Sequence, residues 1–387
     1  MKNLINNSIT IIVATIVGLI LCEITLRVAG ISYPVFTIHD ENRGHASRPY
    51  KEGWKSGEGA AYIKINSLGY RDVEHSIEKS LQTFRIAVLG DSFAEATQVA
   101  QKDTFWSYMG QHLNTCSALV NKKVEVLNFG VGAYSTTQEF LTLQHHVWQF
   151  SPDMVLLTVT ALNDIADNSK KLSTWNQLRP FHVLKNDKLV LDNSFHNLTI
   201  NLFWKHFFRE ISQYSRLVEL VIYLKKLNLY RKLWMRTDIP LEISLSNKIL
   251  SSPKNVVLEE AWLITEKLFS KINKEVSEHN AIFVLAVLTV PAQVYPDPTM
   301  REKIKRNMGV DDLFYPERRI RSIGEKYGFP VITMAERLQQ IATQKHIFLH
   351  GFKNTRMGFG HWNENGHRQA GEIIVKDICT KILLSAL

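Results

Sequence analysis

The sequence predicts an α/β protein, a three-layer α/β/α sandwich around a mainly parallel sheet. Three observations carry this. Short, largely apolar runs recur at about 84–89, 124–128, 153–159, 282–290 and 330–333. Such runs suit strands covered on both faces, as in parallel sheets. Helical patterns lie between them, at about 102–115, 136–149, 257–278, 315–327 and 364–382, so strand and helix alternate. Several of the strands run into turn residues: Gly90-Asp91-Ser92, Gly130 to Gly132, and Asn163-Asp164.

The elements follow in chain order. Residues 3 to 22 carry no charge, and Ile9 to Cys22 is nearly all aliphatic. About 20 helical residues cover the roughly 30 Å hydrocarbon core of a bilayer. Lys2 precedes the run, Glu23 and Arg27 follow it, and no Ala-x-Ala cleavage site is visible. Residues 1–30 therefore read as an uncleaved, single-pass signal anchor, with the remainder of the chain extracytoplasmic. Residues 31–80 are rich in Gly, Ser and charge and read as a juxtamembrane linker that becomes ordered near the domain. Within it, Ile65 to Asp72 suits a turn with Gly69 at positive φ. The main domain spans 81–387, and an insertion at 168–256 interrupts the alternation.

That insertion opens with a hairpin pattern, Phe181 to Leu191, and continues as a long, mainly helical region. The helical region interleaves Phe203, Trp204, Phe207, Phe208, Tyr214, Tyr223, Tyr230 and Trp234 with Lys205, Arg209, Arg216, Lys225, Lys226, Arg231, Lys232 and Arg236. It suits a helical hairpin packed on the core with a solvated basic face. It also suits a lid, or an amphipathic helix lying on anionic lipid. In the last helix Ala370, Ile373, Ile374 and Ile378 recur at helical spacing and form a core face.

Composition bounds the function. The net charge of +9 is spread along the chain. It fits a membrane surface or anionic glycans better than sequence-specific DNA binding, and no nucleic-acid motif is visible. Cys22, Cys116 and Cys379 offer no metal spacing, and the sequence leaves a Cys116–Cys379 bridge open. No metal or cofactor is implied.

The chemistry sits at the strand ends. Ser92 lies outside the carboxyl end of a strand, where open α/β sheets place their sites. It suits a nucleophile if a base lies within reach, and equally an N-cap. Asn128-Phe129-Gly130-Val131-Gly132-Ala133 follows a second strand, and Asn163 ends a third, where it equally suits a cap. Near the C-terminus stands Gly360-His361-Trp362-Asn363-Glu364-Asn365-Gly366-His367. In order and content these four segments resemble the blocks of the SGNH (GDSL-type) hydrolase superfamily, over about Ile65 to the C-terminus. The resemblance implies an SGNH, flavodoxin-like fold and a serine esterase. Ser92 would be the nucleophile and His361 the base, with His367 as its competitor and His350 further upstream. The amides of Ser92 and Ala133 and the Asn163 side chain would hold the oxyanion. Gly132 stands beside Ala133 and leaves that register open by one residue.

One departure bears on competence. The family usually has Asp three residues before the His, and here that residue is Gly358. No carboxylate occurs between Glu336 and His361. The imidazole is then oriented from elsewhere, by a backbone carbonyl or a distant acid, or the site is weakened. The expectation is a membrane-anchored esterase or O-acyltransferase acting on acyl esters, such as the acetyl groups of envelope glycans. Two alternatives remain: a lipid esterase with an aromatic lid, and a non-catalytic glycan-binding protein with a degenerate site.

Overall fold

The structure is a computed structural model, and it describes residues 2–173, 178–197, 200–234 and 249–386. Arg236 of the basic helical pattern lies outside these residues. So do the side chains of Lys205, Tyr230, Arg231, Lys232 and Trp234.

The chain begins with helix α1, Lys2–Val28. Ile5–Val28 is long and apolar enough to cross a membrane and is not buried against the rest of the chain. Two antiparallel hairpins follow: β1 (Thr37–Asp40) with β2 (Gly44–Ser47), and β3 (Glu52–Ser56) with β4 (Ala60–Lys64). The segment expected to be a linker thus holds regular structure. Ala61 and Ile63 alternate inward, and Ile65 continues that small apolar cluster.

The central sheet contains β5 (Thr83–Leu89), β6 (Lys123–Asn128), β7 (Met154–Thr160), β10 (Ile282–Leu288) and β11 (Val331–Thr333). Its order is β11-β10-β7-β5-β6, with every pair parallel. These are the five strands expected from the apolar runs. Every residue of β5 and β7 is buried. Alternate side chains feed two cores. On one face Ile86, Val88, Leu156 and Ala286 meet α3 (Phe105–His112), α11 (Ala335–Lys345) and α12 (Glu364–Asp377). On the other face Ala87, Leu89, Val155 and Leu157 meet α4 (Thr136–Thr142), α8 (Val256–Glu278) and α10 (Tyr315–Tyr327). Each such Ile, Val or Leu side chain contributes about 1.5–3 kcal/mol on burial. The C-terminal face predicted from Ala370, Ile373, Ile374 and Ile378 is buried in the first core.

Short helices complete the strand ends: α2 (Ser92–Glu95) after β5, and α5 (Ala161–Asp167) after β7. The insertion holds hairpin β8 (Phe181–Lys185) and β9 (Lys188–Asp192), then α6 (Ile200–Ile211) and α7 (Arg216–Trp234). Helix α9 (Pro298–Met308) follows β10. Cys116 and Cys379 are joined by a disulfide that ties the 3₁₀ turns after α3 to the end of the chain.

Strand order reverses between β5 and β7, so the loops after these two strands open at a topological switch point. The segment 65–72 secures that corner. Gly69 takes φ +83°, as the turn requires. The buried Arg71 donates to the carbonyls of Glu95, Ala96 and Val99, and Asp72 accepts from the Asn128 amide at 2.7 Å. Arg71→Met leaves those buried carbonyls without their donor, although it also removes a desolvated charge. The net expectation is a loss of ~3 kcal/mol. A denaturant midpoint on the detergent-solubilised full chain reads it, and an unchanged midpoint contradicts this role.

Candidate active site

Ser92 opens α2 directly after β5. Asp91 caps the helix by accepting from the Phe93 amide at 2.9 Å, which leaves the Ser92 hydroxyl free of capping duty. The Ser92 side chain points across the switch point to His361, with Oγ 2.7 Å from Nε2. His361 lies in the loop before α12. That helix is capped by Asn363, which accepts from the Asn365 and Gly366 amides. The spacing of His361, Asn363 and Gly366 is thus a helix-start geometry.

The imidazole is held from behind by Glu58, in the turn between β3 and β4. One Glu58 oxygen accepts from the His361 amide at 2.6 Å, and the other lies 2.5 Å from Nδ1. A carboxylate can only accept, so Nδ1 carries the hydrogen and the Nε2 lone pair faces Ser92. The Glu58 side chain is 9% exposed and that of His361 is 22%. Burial pulls the His361 pKa down, but the charge and hydrogen bond of Glu58, with Asp91 adding to them, raise it above its ordinary value.

Gly358, where the family carries its acid, has φ +74°. A Cβ there would stand 2.5 Å from the Tyr295 ring and 3.0 Å from that of Phe348. No side chain fits.

The other expected groups fall around Ser92. Ala133 takes φ +64°, the backbone that glycine adopts readily, at the position where the family has Gly. Gly132 is adjacent, and a Cβ on it would lie 3.9 Å from Ser92 Cβ. The Gly132 carbonyl accepts from His45 Nε2 at 3.0 Å. That contact turns the trans peptide so that the Ala133 N–H points away from His45. His45 is half-buried, and desolvation lowers its pKa to about 4, so it is a neutral donor. The amides of Ser92, Gly132 and Ala133 make no hydrogen bond to the described residues. Asn163 is exposed in α5, and its Nδ2 donates to Asp91 at 3.1 Å, which leaves its second hydrogen unused.

His367 and His350 stand apart. His367 stacks on Phe105 and lies 3.4 Å from its amide through Nδ1. His350 lies between Thr289 Oγ1 at 3.1 Å and the Gly360 carbonyl at 2.7 Å. Burial lowers the pKa of each to about 3. Both are neutral packing groups. No cluster of His, Cys, Asp or Glu among the described residues could hold a metal.

Neither a protein-family profile nor a curated protein matches the sequence. Among solved structures, the chain is similar to an acetyl xylan esterase at 11% identity and TM-score 0.38, over 76% of this chain and 100% of that one. It is similar to an acetylxylan esterase from Geobacillus stearothermophilus at 11% identity and TM-score 0.39, over 78% and 96%. A lipase/acylhydrolase from Enterococcus faecalis gives 13% and 0.37, over 77% and 96%.

Sequence reasoning missed Glu58 and His45. Both lie in the segment 31–80, whose composition suggests a linker. The only local sign of Glu58's position is its place between two glycines in a turn. Glu58→Gln should lower the His361 titration midpoint, because the charge is lost while the burial remains. Histidine NMR resonances followed against pH measure this. A midpoint unchanged in the variant contradicts the electrostatic coupling.

Proposed function

We propose that the protein is an SGNH-type serine esterase held to a membrane by α1. The single observation that supports it is the chain of contacts Ser92–His361–Glu58. Ser92 Oγ attacks the acyl carbonyl while His361 Nε2 takes its proton. The amides of Ser92 and Ala133, with the free hydrogen of Asn163, stabilise the oxyanion. Collapse expels the alcohol, which takes the proton from His361. Water then attacks the acyl-enzyme with His361 as base, releasing the acid and restoring Ser92. A sugar hydroxyl in place of water gives acyl transfer. Glu58 keeps the productive tautomer and stabilises the imidazolium formed in the transition state.

The disulfide supports an oxidising, extracytoplasmic setting for the domain. The substrate proposed is an acetyl ester on an envelope glycan, by analogy with membrane-anchored hydrolases of the SGNH type. Glu58 supplies the carboxylate whose absence at 358 motivates the non-catalytic reading.

Incubation with a fluorophosphonate, followed by peptide mapping, should place the label on Ser92. Ser92→Ala and His361→Ala should each lower hydrolysis of a nitrophenyl acetate by at least ~10³-fold, and His367→Ala should retain most of it. Labelling elsewhere, or none, would sink the assignment. Because His361 must be neutral to accept a proton, activity should fall with acidification through a midpoint above the ordinary histidine value. Glu58→Gln should lower turnover and move that limb to lower pH.

Gly358→Asp provides a separate check. The strained backbone and the rings of Tyr295 and Phe348 oppose any side chain, and His361 already has its acid. The variant should therefore lose stability and gain no rate. A several-fold gain in a folded variant would show that Glu58 does not serve as the acid.

A further inference from the structure

Helix α6 presents an aromatic face that the fold leaves uncovered. Phe203, Trp204, Phe207 and Phe208 lie at helical spacing and are 42% to 50% exposed. They contact one another, with ring centroids 5.5–6.3 Å apart. Other side chains of the same helix meet the domain. His206 meets His39 of β1 edge-on at 4.4 Å, and Arg48 donates to the Arg209 carbonyl and pairs with Glu210. The helix is therefore docked, and its aromatics point outward by construction.

The end of α1 is tied to the turn that follows α6. Glu23 accepts from the Ser215 hydroxyl and from the Arg216 and Leu217 amides at 2.9–3.0 Å. Arg27 donates to the Tyr214 carbonyl at 2.6 Å. Glu23 and Arg27 are the first charges after the apolar run, so they mark where the span meets water. Tyr214, 73% exposed, lies at that same level.

We propose that the Phe203–Phe208 face of α6 lies in the interface of the bilayer that α1 crosses. Phe, Trp and Tyr suit that layer, since they bury an apolar body beside lipid headgroups. The bilayer is favoured over a second copy of the chain because the aromatic face is continuous with the anchor's water-side end. The proposal rests on the anchor reading and makes α6 a second membrane contact.

The test uses the full chain in phosphatidylcholine nanodiscs. Cys22→Ser removes the exposed free cysteine. Phe207→Cys is then labelled with an environment-sensitive fluorophore, and Lys274→Cys, 78% exposed on α8, serves as the aqueous reference. Brominated acyl chains should quench the label at 207 and leave the label at 274 bright. A water-like, unquenched label at 207 overturns the proposal. A label shielded from water yet unquenched by lipid also overturns it and assigns the face to a protein partner. Alkaline carbonate extraction separates the two readings. Release of the unmodified protein refutes the anchor, whereas retention with an unquenched label refutes only the α6 contact. Nitrophenyl acetate hydrolysis confirms that each labelled protein is folded.

Discussion

The candidate site depends on one carboxylate. Glu58 bridges the amide and the ring of His361, which fixes the ring's position, tautomer and charge at once. A buried carboxylate is costly unless its oxygens are satisfied, and here both are used on the same residue. Its own placement is built by the β3–β4 turn. Gly59 takes φ +66°, and a Cβ on it would stand 2.2 Å from the Gln98 carbonyl. The Gly59 amide and carbonyl both pair with the Asn354 side chain, and Lys55 bonds Thr97. The hairpin thus docks between the loop after β5 and the loop before α12. It brings the acid to the two blocks that carry the base and the nucleophile.

Further buried acids lie close to Asp91: Glu139 on α4 and Asp164 on α5. Burial, reinforced by mutual repulsion, raises Glu139 and Asp164 well above the ordinary carboxylate range. Burial also raises Asp91, which the Phe93 amide and Asn163 partly offset. Glu58 stabilises the imidazolium from the side away from Ser92.

How much of this was legible in the sequence follows from distance along the chain. The five strands were legible because parallel strands buried on both faces read as unbroken apolar runs. Ser92 and Asn163 stand out because each follows such a strand, and His361 because it precedes a helix start. Glu58 was not, since 303 residues separate it from His361 and pairing across such a gap leaves no local pattern. The hairpins at 37–64 were hidden for a related reason. Their inward side chains are few and small, and glycines and charges dominate the composition. Helix α11 buries Ala335, Leu338 and Ala342, a spacing that a closer periodicity count would have found. The aromatics of α6 were visible, but their direction was not. The contacts of His206 and Glu210 show which face is docked.

The site and the proposed membrane face share one support. Consecutive residues at the end of β2 reach both. Ser47 donates to Glu95, three residues after Ser92, and Arg48 holds the end of α6. Lys51, in the same stretch, pairs with the buried Glu219 of α7. Helices α6 and α2 therefore pack against neighbouring residues of one segment. With α6 in the interface, catalytic geometry and membrane seating are properties of one packed unit.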